Sequence, residues 1–230
     1  MHKGEYIGNY ADRQKKRILI LGESHHWDKK DWELWSGETE EQAEIRRQRK
    51  AEDYQTDDVV KRYFENYAKR NGRAKEYRFF DYIVRTFDVD PETHREDFWN
   101  KVYFGNYVEK LCGIRDLQAE EAIKEFREQY NQSLFKFIKD NKIDYVFCFS
   151  RRVYYALPQL ENQDSKNETD GSDAHRLENC TYHFGPRLEV KTALDKPVTF
   201  YGLRHTAQGF SYEKYQERIA TIIQQHCLPF

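Results

Sequence analysis

Three short polar segments of the sequence carry side chains of the types that act on a bond or recognise a ligand edge. They are residues 23–26 (Glu-Ser-His-His), Asn106, and residues 204–206 (Arg-His-Thr). A carboxylate beside two imidazoles suits the activation of water or the protonation of a polar leaving group. The amide of Asn106 offers both a donor and an acceptor, which matches the edge of a nucleic-acid base. His205 can donate a hydrogen bond to a developing negative charge.

Each of these segments follows a short apolar run that predicts a buried strand. Including one further run, the predicted strands are residues 17–22, 102–104, 144–150 and 197–201. Apolar residues at helical spacing predict helices over residues 56–70, 79–87, 90–101, 117–141, 151–157 and 211–226. Strands alternating with helices are typical of an α/β fold, here a three-layer α/β/α arrangement with a central, mainly parallel four-stranded sheet. Ligands of such sheets bind beyond the carboxyl ends of the strands, so we expect the polar segments to lie together there.

The chain of 230 residues suits one domain. Residues from about 28 to 73 are strongly charged and are interpreted as a helical insertion. Residues from about 161 to 180 begin with a run almost free of apolar side chains, which predicts a polar surface loop.

Composition limits the possible partners and cofactors. The net charge of -2 excludes a global basic field, so any contact with nucleic acid must come from local basic patches. Aromatic residues make up 16% of the chain and suit either a core or a base-stacking surface; for Phe79 and Phe80 we favour the core.

Cys180 and His183 lack the paired spacing of a metal site, so neither a metal nor a cofactor is expected. No apolar run approaches the length of a membrane span, and the predicted protein is a cytoplasmic monomer.

The loop after the first strand does not carry a known nucleotide-binding motif. Neither the glycine pattern of dinucleotide-binding folds nor that of a P-loop occurs there. The segment reads LILGESHHW instead. The function of the strand-end segments must therefore be inferred from the side chains that they contain.

The order of the motifs resembles the uracil-DNA glycosylase superfamily. Gly22-Glu23 is similar to the first-loop motif of one branch, and Gly105-Asn106-Tyr107 is similar to the motif that reads the base. Residues 204–215 resemble the late loop, with its histidine at position 205. The similarity extends from about residue 17 to residue 218 and makes residues 1–230 one glycosylase-like domain.

The resemblance implies a DNA glycosylase that flips a nucleotide out of the strand and hydrolyses its N-glycosidic bond. It implies base excision without a metal or cofactor, and DNA as the partner. The implied site residues are Glu23 and His205 for catalysis; Asn106, Ser24, His25 and His26 for the base; and Arg204, Gln208, Phe210 and Arg151 for DNA, with Phe210 in a wedge that enters the stack.

Departures from the superfamily pattern bear on the substrate. Thr206-Ala207 stands where the late loop usually has Pro-Ser, and His25 and His26 replace small residues. A pocket of altered polarity suits a modified base, so the expected substrate is uracil-like or a hypermodified pyrimidine of phage DNA, removed as antiviral defence. Two other functions are kept open: a non-catalytic module that binds modified DNA, and a hydrolase of free nucleosides.

Each catalytic assignment also has a structural alternative. A glutamate after a strand is a favourable helix cap, Gly-Asn is a turn-like dipeptide, and a loop histidine is often a satisfied structural residue. The strand-end positions of Glu23, Asn106 and His205 favour function.

Overall fold

The computed structural model describes residues 5–24, 39, 42, 56–67, 77–108, 116–157, 188–190, 198–206 and 210–230. The predicted polar loop at about 161–180 lies outside the described residues. So does most of the predicted insertion at about 28–73, of which residues 39, 42 and 56–67 are described.

Six strands form one mixed sheet. They are β1 (Tyr6–Ile7), β2 (Ile18–Gly22), β3 (Tyr103–Asn106), β4 (Tyr145–Cys148), β5 (Leu188–Val190) and β6 (Val198–Gly202). Their order is β1-β3-β2-β4-β6-β5. The inner four strands are parallel, whereas β1 and β5 pair antiparallel at the two edges.

The predicted α/β class is therefore correct, but the predicted four-stranded sheet is too small. The four predicted strands are the four parallel ones. The two edge strands were missed because segments of 2 and 3 residues are too short to show an alternating pattern.

The six predicted helices are present, with ends shifted by a few residues. They are α1 (Thr56–Tyr67), α2 (Arg78–Thr86), α3 (Pro91–Asn100), α4 (Asp116–Asp140), α5 (Arg151–Ala156) and α6 (Glu213–His226). A short 3-10 helix covers Ala11–Arg13. α4 is kinked at Phe126, whose φ of -113° and ψ of 19° leave the helical region.

The start of α3 shows how local sequence sets a boundary. Asp90 is extended and its carboxylate accepts a hydrogen bond from the backbone N–H of Glu92 at 3.1 Å. Pro91 occupies the first turn, where the missing N–H is not needed.

Apolar side chains fill both faces of the sheet. Along β2, Ile18 and Ile20 belong to one core cluster with residues of α1, α2, α3 and α6, and Leu19 and Leu21 belong to a second cluster with residues of α4 and α5. This alternation follows from the two-residue period of a strand. Helices therefore cover both faces, and among the described residues no helix is long and apolar enough to cross a membrane.

The parallel register aligns the carboxyl ends of the four inner strands. Gly22 pairs with Asn106, Leu21 pairs with Cys148, and Cys148 pairs with Gly202. The residues that follow these positions therefore leave the sheet at the same edge.

Candidate functional site

Glu23 is a buried carboxylate at the end of β2, with only 6% of its surface exposed. Its backbone is fixed because the pairing with β3 continues past the strand. The carbonyl of Gly22 accepts from the N–H of Tyr107 at 3.1 Å, and the carbonyl of Glu23 accepts from the N–H of Val108 at 2.9 Å. The main chain therefore presents the Glu23 side chain from a rigid position.

Both carboxylate oxygens of Glu23 have a partner at the start of α5, one at its N-cap and one in its first turn. The Ser150 hydroxyl donates to Oε2 at 2.5 Å, and Nη1 of Arg152 lies 3.3 Å from Oε1. The guanidinium compensates the buried negative charge, which would otherwise be costly.

Ser150 has a second role as the N-cap of α5. Its Oγ accepts from the backbone N–H of Val153 at 3.2 Å. One hydroxyl thus ties the start of a helix to the Glu23 carboxylate.

Asn106 lies beside Gly22 at the end of the neighbouring strand. Its side-chain oxygen occupies the space that a β-carbon at position 22 would need, and the tip of the Phe79 ring lies 3.4 Å from that same point. A side chain at position 22 would therefore displace the Asn106 amide from its present position.

His205 is a neighbour of Phe79. The two ring centroids are 5.5 Å apart and the ring planes are tilted by 38°. The half-buried Phe79 ring is thus close both to His205 and to the Gly22–Asn106 contact. The core position favoured for Phe79 is only partly right, since the ring also lines the strand-end site.

The late loop is anchored to α6. The backbone N–H of Arg204 donates to the phenolic oxygen of Tyr215 at 3.3 Å. The side chains of Arg204 and His205 are both half-buried, so they are neither core residues nor fully solvated ones.

Phe210 does not lie on the surface. Its ring is 9% exposed and stacks on Tyr215, with centroids 5.1 Å apart and an interplanar angle of 11°. It also stacks on Tyr82 at 5.9 Å. The assignment of Phe210 to a DNA wedge is therefore wrong for this conformation, because an apolar ring is more stable in an aromatic cluster than in water.

The other predicted site residues fall into two groups. Ser24 is half-buried next to Glu23, and Arg151 is exposed at the start of α5. His25, His26 and Gln208 lie outside the described residues.

Ser150 and Arg152 were not assigned to the site from the sequence. Ser150 stands at the end of the third predicted strand, and the strand-end rule that selected the other residues also applied to it. Arg152 is one residue beyond Arg151, and nothing in the sequence distinguishes the two arginines.

Cys148, the last residue of β4, is completely buried. Burial raises the pKa of its thiol to about 12, and the negative charge of Glu23 acts in the same direction. The sulfur donates weakly to the carbonyl of Ser150 at 3.4 Å. A thiol that keeps its proton in this way is a packing group and not a nucleophile.

A network of hydrogen bonds between uncharged groups stabilises the residues that directly follow β3. The Tyr107 hydroxyl donates to Oδ1 of Asn131 at 2.9 Å, and Nδ2 of Asn131 donates to the carbonyl of Ala156 at 3.2 Å. Burial raises the pKa of Tyr107 well above its usual value, so the phenol remains a donor. The network ties α4 and the end of α5 to the segment after β3.

Among the residues that the structure describes, no group of three or more His, Cys, Asp or Glu side chains is placed to hold a metal ion. Cys180 and His183 lie outside those residues.

No protein-family model matches the chain. The resemblance to the uracil-DNA glycosylase superfamily therefore stays a prediction from the sequence.

The residues after the parallel strands thus form two groups at the same end of the sheet. One is the Glu23 carboxylate with Ser150 and Arg152. The other is the Asn106 amide and the His205 imidazole, each beside the Phe79 ring. A carboxylate and an imidazole can divide the transfer of protons at a bond, while an amide and a ring can recognise a planar heterocycle.

Proposed function

We propose that this protein is a monofunctional DNA glycosylase. It hydrolyses the N-glycosidic bond of a flipped damaged or modified base and leaves an abasic site. The observation that carries the proposal is the rigidly held, buried Glu23 carboxylate at the same sheet edge as Asn106 and His205. The motif order of the sequence adds support, as do the apolar clusters on both faces of the sheet, which favour a three-layer fold.

The reaction consumes one water molecule. The bond between C1′ and the base nitrogen breaks, and its electron pair leaves with the base. The sugar becomes oxocarbenium-like, and the anionic Glu23 stabilises it and orients the water. The water oxygen bonds to C1′ and its proton passes to the carboxylate, while His205 hydrogen-bonds the departing base. The base anion takes up a proton from the solvent, and Glu23 releases the proton that it received to the solvent, so that the enzyme returns to its starting state.

Asn106 and Phe79 are assigned to base recognition. The amide of Asn106 can donate to and accept from a Watson–Crick edge. Phe79 is close to both the Gly22–Asn106 contact and His205, so its ring is the aromatic surface on which the flipped base can stack. The proposed substrates are uracil-like bases and hypermodified pyrimidines, which differ in the substituents that this pocket must admit.

Basic side chains, and not Phe210, are assigned to the DNA strand. Arg151 is exposed at the start of α5, and the half-buried Arg204 directly precedes His205. Both stand next to residues of the candidate site, where a guanidinium can hold a phosphate.

One observation favours a second candidate, a hydrolase of free nucleosides. The burial of Phe210 removes the predicted duplex wedge, and an enzyme that acts on free nucleosides does not need one. A third candidate, a non-catalytic module for modified DNA, has less support because recognition alone does not need a clamped carboxylate at Glu23.

The deciding experiment is base release from a panel of substrates. The panel contains single- and double-stranded DNAs with uracil, deaminated purines, hydroxymethylcytosine or glucosylated hydroxymethylcytosine, together with the matching free nucleosides. Alkaline cleavage at abasic sites reports release from DNA, and chromatography reports free bases. Release from one DNA supports the glycosylase and names its base, whereas release from nucleosides alone supports the second candidate. No release with retained DNA binding supports the third.

A further inference from the structure

The Glu23 carboxylate is clamped from a part of the chain 127 residues away. Ser150, which is 1% exposed, holds Oε2, and Arg152 holds Oε1 from a side chain that is 38% exposed. One partner thus lies inside the protein and the other reaches in from the solvent side.

The main-chain pairing at Glu23 does not depend on this clamp. The backbone of Glu23 is already fixed by the N–H of Val108, and any residue at position 23 could make that bond. A buried ion pair is often no more stabilising than apolar side chains of the same volume. What the clamp adds is a single orientation of the carboxylate.

The Ser150 hydroxyl can hold this orientation because its own geometry is set. Its oxygen accepts the N–H of Val153, and its proton is then directed to Glu23. The 2.5 Å separation is typical of a strong hydrogen bond between a hydroxyl and a carboxylate.

We propose that Ser150 and Arg152 are positioning residues that fix the Glu23 carboxylate for catalysis. The inference rests on the proposed glycosidic hydrolysis. Each carboxylate oxygen can accept two hydrogen bonds, so an oxygen that is engaged once still has capacity for a water molecule. Because both oxygens are held, the water that attacks C1′ always adopts the same orientation relative to the carboxylate. The entropic cost of orienting the carboxylate is therefore met before the substrate binds.

The first test separates kcat from KM. Ser150→Ala should lower kcat for base release by about tenfold to a hundredfold, with KM changed by less than about twofold, because the substrate does not touch Ser150. Ser150→Thr keeps the hydroxyl and should recover most of the kcat. Asp90→Ala, which removes the cap of α3 away from the site, controls for the loss of a helix cap.

The second test uses chemical rescue. Arg152→Ala should lower kcat by a similar factor, Arg152→Lys should recover part of it, and added guanidinium ion should restore activity to Arg152→Ala but not to Ser150→Ala. Unchanged kcat in both Ser150→Ala and Arg152→Ala would overturn the inference while the glycosylase assignment stands.

A third measurement does not depend on activity. A buried hydroxyl that donates to a carboxylate at 2.5 Å should give a proton resonance downfield of the backbone amides, absent in Ser150→Ala and shifted in Glu23→Gln. If that resonance is present but the wild-type protein releases no base, the clamp is upheld and the proposed function fails. If the resonance is missing from the wild-type spectrum, the clamp itself is overturned.

Discussion

The side-chain oxygen of Asn106 lies against the α-carbon of Gly22, where any other residue would carry its β-carbon. The contact follows from the parallel register, which pairs these two residues at the ends of adjacent strands. Gly22 is needed for this close approach and not for a left-handed backbone conformation. The position of the Asn106 amide is thus coupled to the absence of a side chain on the neighbouring strand.

Gly22→Ala should therefore displace Asn106 and cost about 1–3 kcal/mol of the free energy of unfolding, since an added methyl group overpacks the contact. Base release should fall together with base selectivity. Urea denaturation and the substrate panel measure the two effects. Gly105→Ala is the matched control, because the added carbon there meets only the flexible side chain of Glu5 at 3.2 Å. If the two variants have the same stability in urea and the same base release, the contact between Asn106 and Gly22 contributes to neither.

Glu23→Gln and His205→Ala should each lower base release by more than about tenfold. Glutamine keeps the shape of the side chain but removes the negative charge that is proposed to stabilise the sugar. Single-turnover kinetics on the preferred substrate measure the loss. His94→Ala, at an exposed position of α3, is the control for loss of an imidazole. Full activity of both site variants would refute the catalytic assignment.

Asn106→Asp should change which base is removed and leave the fold intact. An ionised aspartate only accepts hydrogen bonds, whereas asparagine also donates, so the preferred Watson–Crick edge must differ. Rates on each DNA of the panel, divided by the rate on the best substrate, give the preference. The same ranking for variant and parent would remove Asn106 from base recognition.

Phe210→Ala should act on stability. The buried ring contacts Tyr82 and Tyr215, and truncation of a core phenylalanine typically costs about 3–5 kcal/mol. The ratio of activity on double-stranded to single-stranded DNA should stay unchanged. A variant of normal stability that selectively loses activity on duplex DNA would restore the wedge role.

Because the Cys148 thiol is buried, the free energy of unfolding should fall as the pH rises from about 9 to about 12. Burial raises the pKa of this thiol from 9.0 to about 12. In that window the unfolded chain has lost the proton and the native protein keeps it, so the contribution is complete below pH 9 and is lost by pH 12. The slope is at most about 1.4 kcal/mol per pH unit.

The difference in unfolding free energy between the parent and Cys148→Ala, followed across this window, isolates the thiol from the tyrosines that both proteins share. A difference that is independent of pH would show that the thiol is not buried as described. Alkylation gives a second readout, since Cys148 should resist iodoacetamide in the folded protein and the exposed Cys227 should react.

The sequence was sufficient for the inner sheet and the helices because these carry long apolar patterns. β2 and β4 are continuous apolar runs, and α6 shows helical spacing over 14 residues. β1 and β5 are too short for a period to be visible. The start of α3 was also predictable, because the capping hydrogen bond of Asp90 and the position of Pro91 involve only neighbouring residues.

The candidate site was partly accessible for a different reason. The rule that parallel strands end at one edge placed Glu23, Asn106 and His205 there without any contact being known. The partners of Glu23 were not accessible, because a hydrogen bond across 127 residues leaves no pattern in the chain. Phe210 was misassigned because its burial depends on rings of α2 and α6, which no local pattern around position 210 shows.

The distance along the chain between Glu23 and Ser150 has a consequence for folding. β2 pairs only with strands that begin more than eighty residues later, so its neighbours are established by non-local contacts. Such contacts form slowly, because a long loop must close before any stabilising interaction is gained. During synthesis, a nascent chain that has emerged only as far as β3 contains Glu23 but neither Ser150 nor Arg152. The clamped carboxylate therefore cannot form before residue 152 has been synthesised and β4 has reached β2.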